Sequence, residues 1–227
     1  MSRPPRPRLL VIDPSVAYPE EECVATVLDG WPGEAQVLLP ALRPGDGPGR
    51  GSDYDVDGIV VLGSRASVHD DRPWLRELGA WLSPVLEGEK RIPLLGICFG
   101  HQLIAERAGG EVGLMNGDGS TELGIRETVL EGGRLVPGRR ILRVVASHKE
   151  AVKTAPRGYK IVARRERVPV DGLEHESLPI FGFQFHPEAR ESFLEARGFE
   201  GLQMDPTMIA GSEELLSAFR RLALSRS

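Results

Sequence analysis

Apolar and polar positions along this chain follow two rhythms, and the switches between them mark its elements. Short, nearly unbroken apolar runs occur at residues 9–12, 35–39, 59–62 and 92–97. Runs of that length bounded by turn signals are what strands of a parallel sheet covered on both faces require. Helical spacing fills the intervals. Residues 19–28 put a proline and Glu20, Glu21 and Glu22 at the positive end of a helix, with Gly30 beyond it. Residues 73–86 align Leu75, Leu78, Trp81, Leu82 and Val85 on one face. After Phe99 the apolar positions Leu103, Ile104 and Ala108 repeat until Gly109-Gly110 stops the helix.

The second half changes character. Residues 111–130 read as strands broken at Asn116-Gly117-Asp118-Gly119, a turn that neither follows the right strand nor opens a helix, so it is no dinucleotide or phosphate loop. Residues 141–146, 160–163, 168–173 and 180–185 alternate more closely and have short links, which predicts antiparallel strands rather than further βαβ units. Ser212-Glu213-Glu214 opens a final amphipathic helix with Leu215, Leu216, Phe219 and Leu222 inward. With no repeats and no second composition regime, the expectation is α/β. It is a single-domain open twisted, mostly parallel sheet over residues 1–227, with flanking helices and a small antiparallel extension. The strand at 9–12 is expected to be central, the Gly/Pro-rich loop 40–53 mobile, and the basic, proline-rich residues 1–8 a flexible start.

Composition narrows the function classes. The chain has 227 residues, 41% of them hydrophobic and 27% charged, which suits a soluble globular protein. A net charge of −5 gives no electrostatic case for nucleic acid or an anionic membrane as partner. The run at 9–12 is too short for a signal-peptide core, and no apolar segment approaches the ~20 residues that span a bilayer. Two cysteines, Cys23 and Cys98, cannot build a disulfide framework, which points to a reducing, cytoplasmic setting. His69 and His175 lack partners at metal spacing and read as surface residues; no Cys/His cluster suggests zinc, and no metal or other cofactor is expected.

Candidate chemistry begins at Gly96-Ile97-Cys98-Phe99-Gly100, where the strand rhythm meets the helical one. This is the nucleophile-elbow layout with cysteine in place of serine. A thiol there lies at the positive end of a helix, and the N–H of Phe99 points to where an oxyanion would form. Gly63, ending the strand at 59–62 on the same sheet edge, offers a second N–H. A nucleophilic cysteine needs a base, and the base needs a carboxylate. Phe183-Gln184-Phe185-His186-Pro187-Glu188 supplies both: positions two apart in an extended segment share a side, so His186 and Glu188 face one cleft, with Pro187 ending the strand. His101 reads as a support of the helix start. His148, beside Lys149 and Glu150, fits either a substrate rim or a plain turn.

Those pieces, with the strand end Val145-Ala146-Ser147-His148 and the Gly63-Ser64 turn, resemble the class I glutamine amidotransferase family over residues ~9 to 190. Leu62-Gly63-Ser64-Arg65 stands where many members have Gly-Gly-Pro, a variant more similar to the branch of GMP-synthase-type glutaminases and γ-glutamyl peptidases. The resemblance implies a flavodoxin-like fold and a Cys98–His186–Glu188 triad that hydrolyses the γ-carboxamide of glutamine through a γ-glutamyl thioester. It implies an oxyanion hole of the Gly63 and Phe99 N–H groups. It places Gln102, Ser64 and the Ser147-His148 backbone around the substrate. With no Gly-x-x-x-x-Gly-Lys-Ser/Thr loop in the sequence, ATP-driven use of the ammonia would need a separate synthase. The alternatives are a stand-alone γ-glutamyl peptidase and, more remotely, a non-catalytic binding module.

Overall fold

The computed structural model describes residues 6–49, 54–199 and 204–225. The first five residues of the expected flexible start, and 50–53 of the loop expected to be mobile, lie outside them. Strands β1 (Arg8–Ile12), β2 (Glu34–Leu38), β3 (Gly58–Val61) and β4 (Leu94–Ile97) pair in parallel in the order β2-β1-β3-β4. β1 is thus an interior strand, and Arg8 belongs to it rather than to a loose tail: its N–H donates to Asp57 Oδ2 at 2.7 Å.

Alternation along these strands sorts side chains onto two faces. Leu9, Val11, Val60, Leu95 and Ile97 pack with α1 (Glu21–Leu28) and α5 (Pro206–Leu224). Leu10, Ile12, Ile59, Val61 and Leu94 pack with α2 (Pro73–Leu86) and α3 (Phe99–Arg107). All five residues of the face read from helical spacing in α2 are buried. In α3, Leu103 and Ile104 are buried with Ala105, while Ala108 is only partly covered.

Beyond β4 the sheet changes direction. β11 (Ile180–Phe183) lies parallel to β4, with Gly182 opposite Gly96. It is antiparallel to β10 (Val168–His175) on its other side. Then β9 (Tyr159–Arg165), β6 (Glu122–Glu131) and β7 (Arg139–His148) complete a nine-stranded sheet. The expected antiparallel extension is therefore four strands wide, and β11 is not part of it alone: its four fully buried residues also complete the parallel half. β5 (Glu111–Leu114) and β8 (Glu150–Thr154) form a separate antiparallel ribbon.

Two local expectations are corrected. α5 starts at Pro206, not Ser212, because Asp205 caps it: its side chain accepts from the Met208 N–H at 2.9 Å and a proline fills the first helical position. The segment before His186 is not strand to its end. β11 stops at Phe183, and His186 and Glu188 meet across a turn closed by Ala189 N–H on His186 O at 3.3 Å. A further short helix, α4 (Glu191–Glu195), follows that turn.

Candidate active site

Cys98 joins β4 to α3 with φ 51° and ψ −99°, the one non-glycine residue among those described with positive φ. That conformation costs about 1–2 kcal/mol for an L-residue, so neighbours must hold it. The Cys98 N–H donates to Phe183 O at 2.8 Å, and its carbonyl accepts from Gln102 N–H at 3.0 Å as the first helical bond. The turn has no room for side chains on either flank: a Cβ on Gly96 would lie 2.5 Å from the Gly100 carbonyl, and one on Gly100 2.2 Å from Val61 O.

The turn delivers the thiol to the floor of a cavity of about 550 Å³ whose walls include Ser15, Tyr18, Gly63, Arg65, Ser147 and His186. Asp13 takes the N–H groups of Ser15 (3.1 Å) and Glu20 (2.8 Å), which folds the segment after β1 over this space. Sγ lies 3.7 Å from Ser147 O and 3.7 Å from Gln184 Nε2.

His186 reaches the same place from the other side of the sheet edge. Its N–H donates to Val145 O at 2.8 Å, and its Nδ1 donates to Glu188 Oε1 at 2.7 Å. That contact places the ring proton on Nδ1 in the neutral imidazole and turns Nε2, buried and without a hydrogen-bond partner, toward the thiol. Burial works against a charged ring here. The Glu188 carboxylate and then Cys98 outweigh it and raise the His186 pKa to about 10. Phe193 of α4 covers the ring with centroids 4.6 Å apart, and Arg197, paired with Glu20 at 2.8 Å, caps Phe193 in turn. This covering of the base has no signal in the sequence, because it depends on α4 folding back.

Gly63 abuts both groups: a Cβ there would come 2.9 Å from His186 Cε1 and 3.6 Å from Cys98 Cβ. Phe99 follows the cysteine as the first residue of α3, with its ring fully buried. The structure thus gathers Cys98, His186, Glu188, Gly63 and Phe99 at one point.

The remaining expected site residues divide. Gln102 borders the cavity, but its Nε2 is engaged by Glu150 O at 2.7 Å and Gln184 Oε1 at 3.2 Å. Ser64 also borders it, yet its hydroxyl staples loops by donating to Pro14 O at 2.7 Å and accepting from Ala66 N–H at 3.1 Å. Ser147 contributes the carbonyl that faces Sγ.

The His148 side chain turns away from the rim into a buried ionic cluster. Its Nε2 lies 3.1 Å from Glu122 Oε2 and 3.0 Å from an Arg165 guanidinium nitrogen. Arg165 also pairs with Glu122 at 2.8 Å and with Asp171 at 3.0 Å. Burial tends to raise the Glu122 pKa, but the His148 hydrogen bond and the Arg165 charge overcome this and hold it at about 2. The cluster fixes the end of β7, whose last two residues are Ser147 and His148.

His101 is fully buried and bonded to Val170 O at 3.1 Å; desolvation lowers its pKa to about 3, so it is a neutral brace between α3 and β10. His69 is exposed and bonded to Val112 O. His175 receives the Ser177 and Leu178 N–H groups. Among the described residues no three His, Cys, Asp or Glu side chains cluster as metal ligands would, and no helix is long and apolar enough to cross a membrane.

Residues 48–199 match the family model described as glutamine amidotransferase class-I. The glutamine-hydrolyzing subunit of GMP synthase from Thermococcus kodakarensis is 46% identical over 109 residues, 47% of this chain and 57% of that protein. The protein of the same name from Pyrococcus furiosus is 43% identical over 136 residues, 59% of this chain and 71% of that protein. With the Pyrococcus abyssi counterpart at 53%, the chain spans little more than half the length of two of these relatives. Among solved structures, a glutamine amido transferase from Methylobacillus flagellatus superposes with TM-score 0.73 at 19% identity, covering 97% of this chain and 95% of that one. A glutamine amidotransferase from Thermotoga maritima superposes with TM-score 0.71 at 23% identity, covering 97% of each. At these identities the two structures speak for the fold.

Proposed function

The chain belongs to the class-I glutamine amidotransferase family, and from that premise we propose that it hydrolyses the γ-carboxamide of glutamine at Cys98 and passes the ammonia to a separate synthase. The observation that carries this reading is the strained cysteine at the floor of a cavity it shares with a histidine already bonded to a buried glutamate. The thiol proton passes to His186 Nε2 and Sγ attacks the γ-carbonyl carbon. Oxygen takes up the negative charge against the N–H groups of Gly63 and Phe99. Collapse of that adduct breaks the carbon–nitrogen bond, His186 returns the proton to nitrogen, and ammonia leaves behind a γ-glutamyl thioester. A water then gives its proton to the same nitrogen, attacks the thioester carbonyl and releases glutamate and thiol. Glu188 holds the imidazole with Nε2 toward sulfur and stabilises the imidazolium in both halves. Gln102, Ser64 and the Ser147-His148 backbone border the space for the amino-acid end of the substrate.

The relatives named as glutamine-hydrolyzing subunits of GMP synthase support a division of labour in which a GMP-synthase-type partner uses the ammonia. Two free cysteines fit a cytoplasmic setting. One observation favours a second reading: the cavity runs on past the thiol to Tyr18, Arg65 and Leu114, and its ~550 Å³ falls in the range of pockets for molecules well above amino-acid size. A γ-glutamyl peptide would fill it, which would make the chain a stand-alone γ-glutamyl hydrolase. Ammonia release from glutamine, measured with and without an ATP-using synthase partner, tests the proposal. Weak release that rises with the partner is expected. Fast partner-free cleavage of γ-glutamyl dipeptides, with glutamine inert, would overturn it in favour of the second reading.

A further inference from the structure

Gln184 is fully buried, two residues before His186, and its side chain lies in a chain of hydrogen bonds that ends on the nucleophile. The direction of that chain follows from its far end. The Glu150 carbonyl can only accept, so the Gln102 atom 2.7 Å from it is the NH₂ group. The same NH₂ lies 3.2 Å from Gln184, whose facing atom is therefore the oxygen. The remaining end of Gln184 is its NH₂, and this faces Cys98 Sγ at 3.7 Å. One backbone carbonyl thus fixes two otherwise ambiguous amides and aims an N–H at sulfur.

On the opposite flank Sγ meets the Ser147 carbonyl, also at 3.7 Å. The two partners suit different states. A carbonyl accepts from a neutral S–H and repels a thiolate, whereas an amide N–H donates to a thiolate and gains little from a thiol. The backbone of Gln184 is anchored as firmly as its side chain, through N–H to Asp171 O at 2.9 Å.

We propose that Gln184 is a further catalytic residue, one whose carboxamide N–H holds the Cys98 sulfur as thiolate and offsets the opposing Ser147 carbonyl. Gln102 positions it, so that the residue at the substrate's amino-acid end and the nucleophile share one hydrogen-bonded line. This rests on the reading of Cys98 as nucleophile, and it assigns to the amide a task that neither His186 nor Glu188 performs.

Its test does not need glutamine, so its failure is separable from failure of the glutaminase reading. Iodoacetamide alkylates thiolate, and the pH profile of Cys98 alkylation, followed by peptide mass, reads the sulfur directly. Cys23 serves as internal reference, because burial and the nearby Glu188 and Glu20 carboxylates raise its pKa. Gln184→Met keeps the volume and removes the donor. The alkylation midpoint should rise by about one pH unit, with about tenfold slower labelling at neutral pH, the size of one hydrogen bond to a charged group. Gln184→Glu replaces the donor by a carboxylate and should slow labelling further. Gln102→Leu frees the amide to turn and should shift the midpoint in the same direction by less. His186, Glu188, His148, Glu150 and Lys149 remain in every variant, so the comparison isolates the amide. Midpoints unchanged in Gln184→Met, or faster labelling in Gln184→Glu, would overturn the proposal. Should one position 184 variant fail to fold, Gln102→Leu still decides it: no shift there is refutation.

Discussion

Gly100→Ala tests the packing that forces Cys98 into its left-handed turn. The added methyl would sit 2.2 Å from Val61 O and 3.0 Å from Val61 Cβ, whereas ordinary contact begins at 3.4 Å. The obstacle is β3 backbone, which cannot swing aside as a long side chain would, so α3 and β3 would have to part by about 1.2 Å. Both neighbours of that seam matter to the chemistry: Val61 is two residues from Gly63, and Gly100 two from Cys98. Overpacking of this kind costs about 1–3 kcal/mol, and a clash with backbone belongs at the upper end. At ~3 kcal/mol, the melting temperature of a chain this size falls by about 6–12 °C. Gly47→Ala is the control, since nothing lies within 4 Å of a Cβ there and its φ needs no glycine. It should move the melting point by no more than about 2 °C. Thermal melts followed by circular dichroism, with glutaminase rates on the same samples, make the comparison. A Gly100→Ala protein that melts within about 2 °C of wild type with unchanged turnover would refute the view that a tight β3–α3 seam sets the thiol.

Other perturbations bear on the rest of the site. Glu188→Gln should lower kcat by about 10²–10⁴, less than Cys98→Ala or His186→Ala, because it orients the base without reacting; equal losses in initial-rate assays would contradict that role. Arg165→Met leaves Glu122 and Asp171 buried without their cation and should cost about 3–5 kcal/mol in urea unfolding; a midpoint like wild type would show the cluster to be idle. His186, with its pKa near 10 in the fold against 6.5 unfolded, stabilises fully below pH 6.5 and loses that contribution as pH rises toward 10. His101 has the opposite sign: held near 3, it costs stability as pH falls from 6.5 toward 3, when the unfolded chain takes up a proton that the fold refuses. Urea midpoints across pH should therefore fall on both sides of neutrality, with His186→Ala flattening the alkaline limb and His101→Asn the acid one.

The parallel core and the elbow were legible because one physical cause writes each of them into adjacent residues. Buried strands give unbroken apolar runs, and the crowded turn demands Gly96 and Gly100 around Cys98. The N-terminus of α5 was legible too, in Asp205-Pro206, but Ser212-Glu213-Glu214 imitates a helix start and drew the boundary six residues late. β8 and the parallel side of β11 were not, since both depend on partners far along the chain: β5 lies some forty residues before β8, and β4 more than eighty before β11. The inward turn of His148 follows from Arg165, seventeen residues away and unannounced by any spacing. Gln184 had a signal that went unused. The two-residue step that linked His186 to Glu188 reaches back equally to Gln184, the polar residue between Phe183 and Phe185.

Labelling of the intact protein with an electrophilic glutamine analogue, followed by digestion and mass mapping, tests the central claim most directly. A single adduct on the peptide containing Cys98, suppressed by excess glutamine and absent from the Cys23 peptide, is the predicted result. An adduct on Cys23 alone, or glutamine hydrolysis that persists in Cys98→Ala, would contradict it.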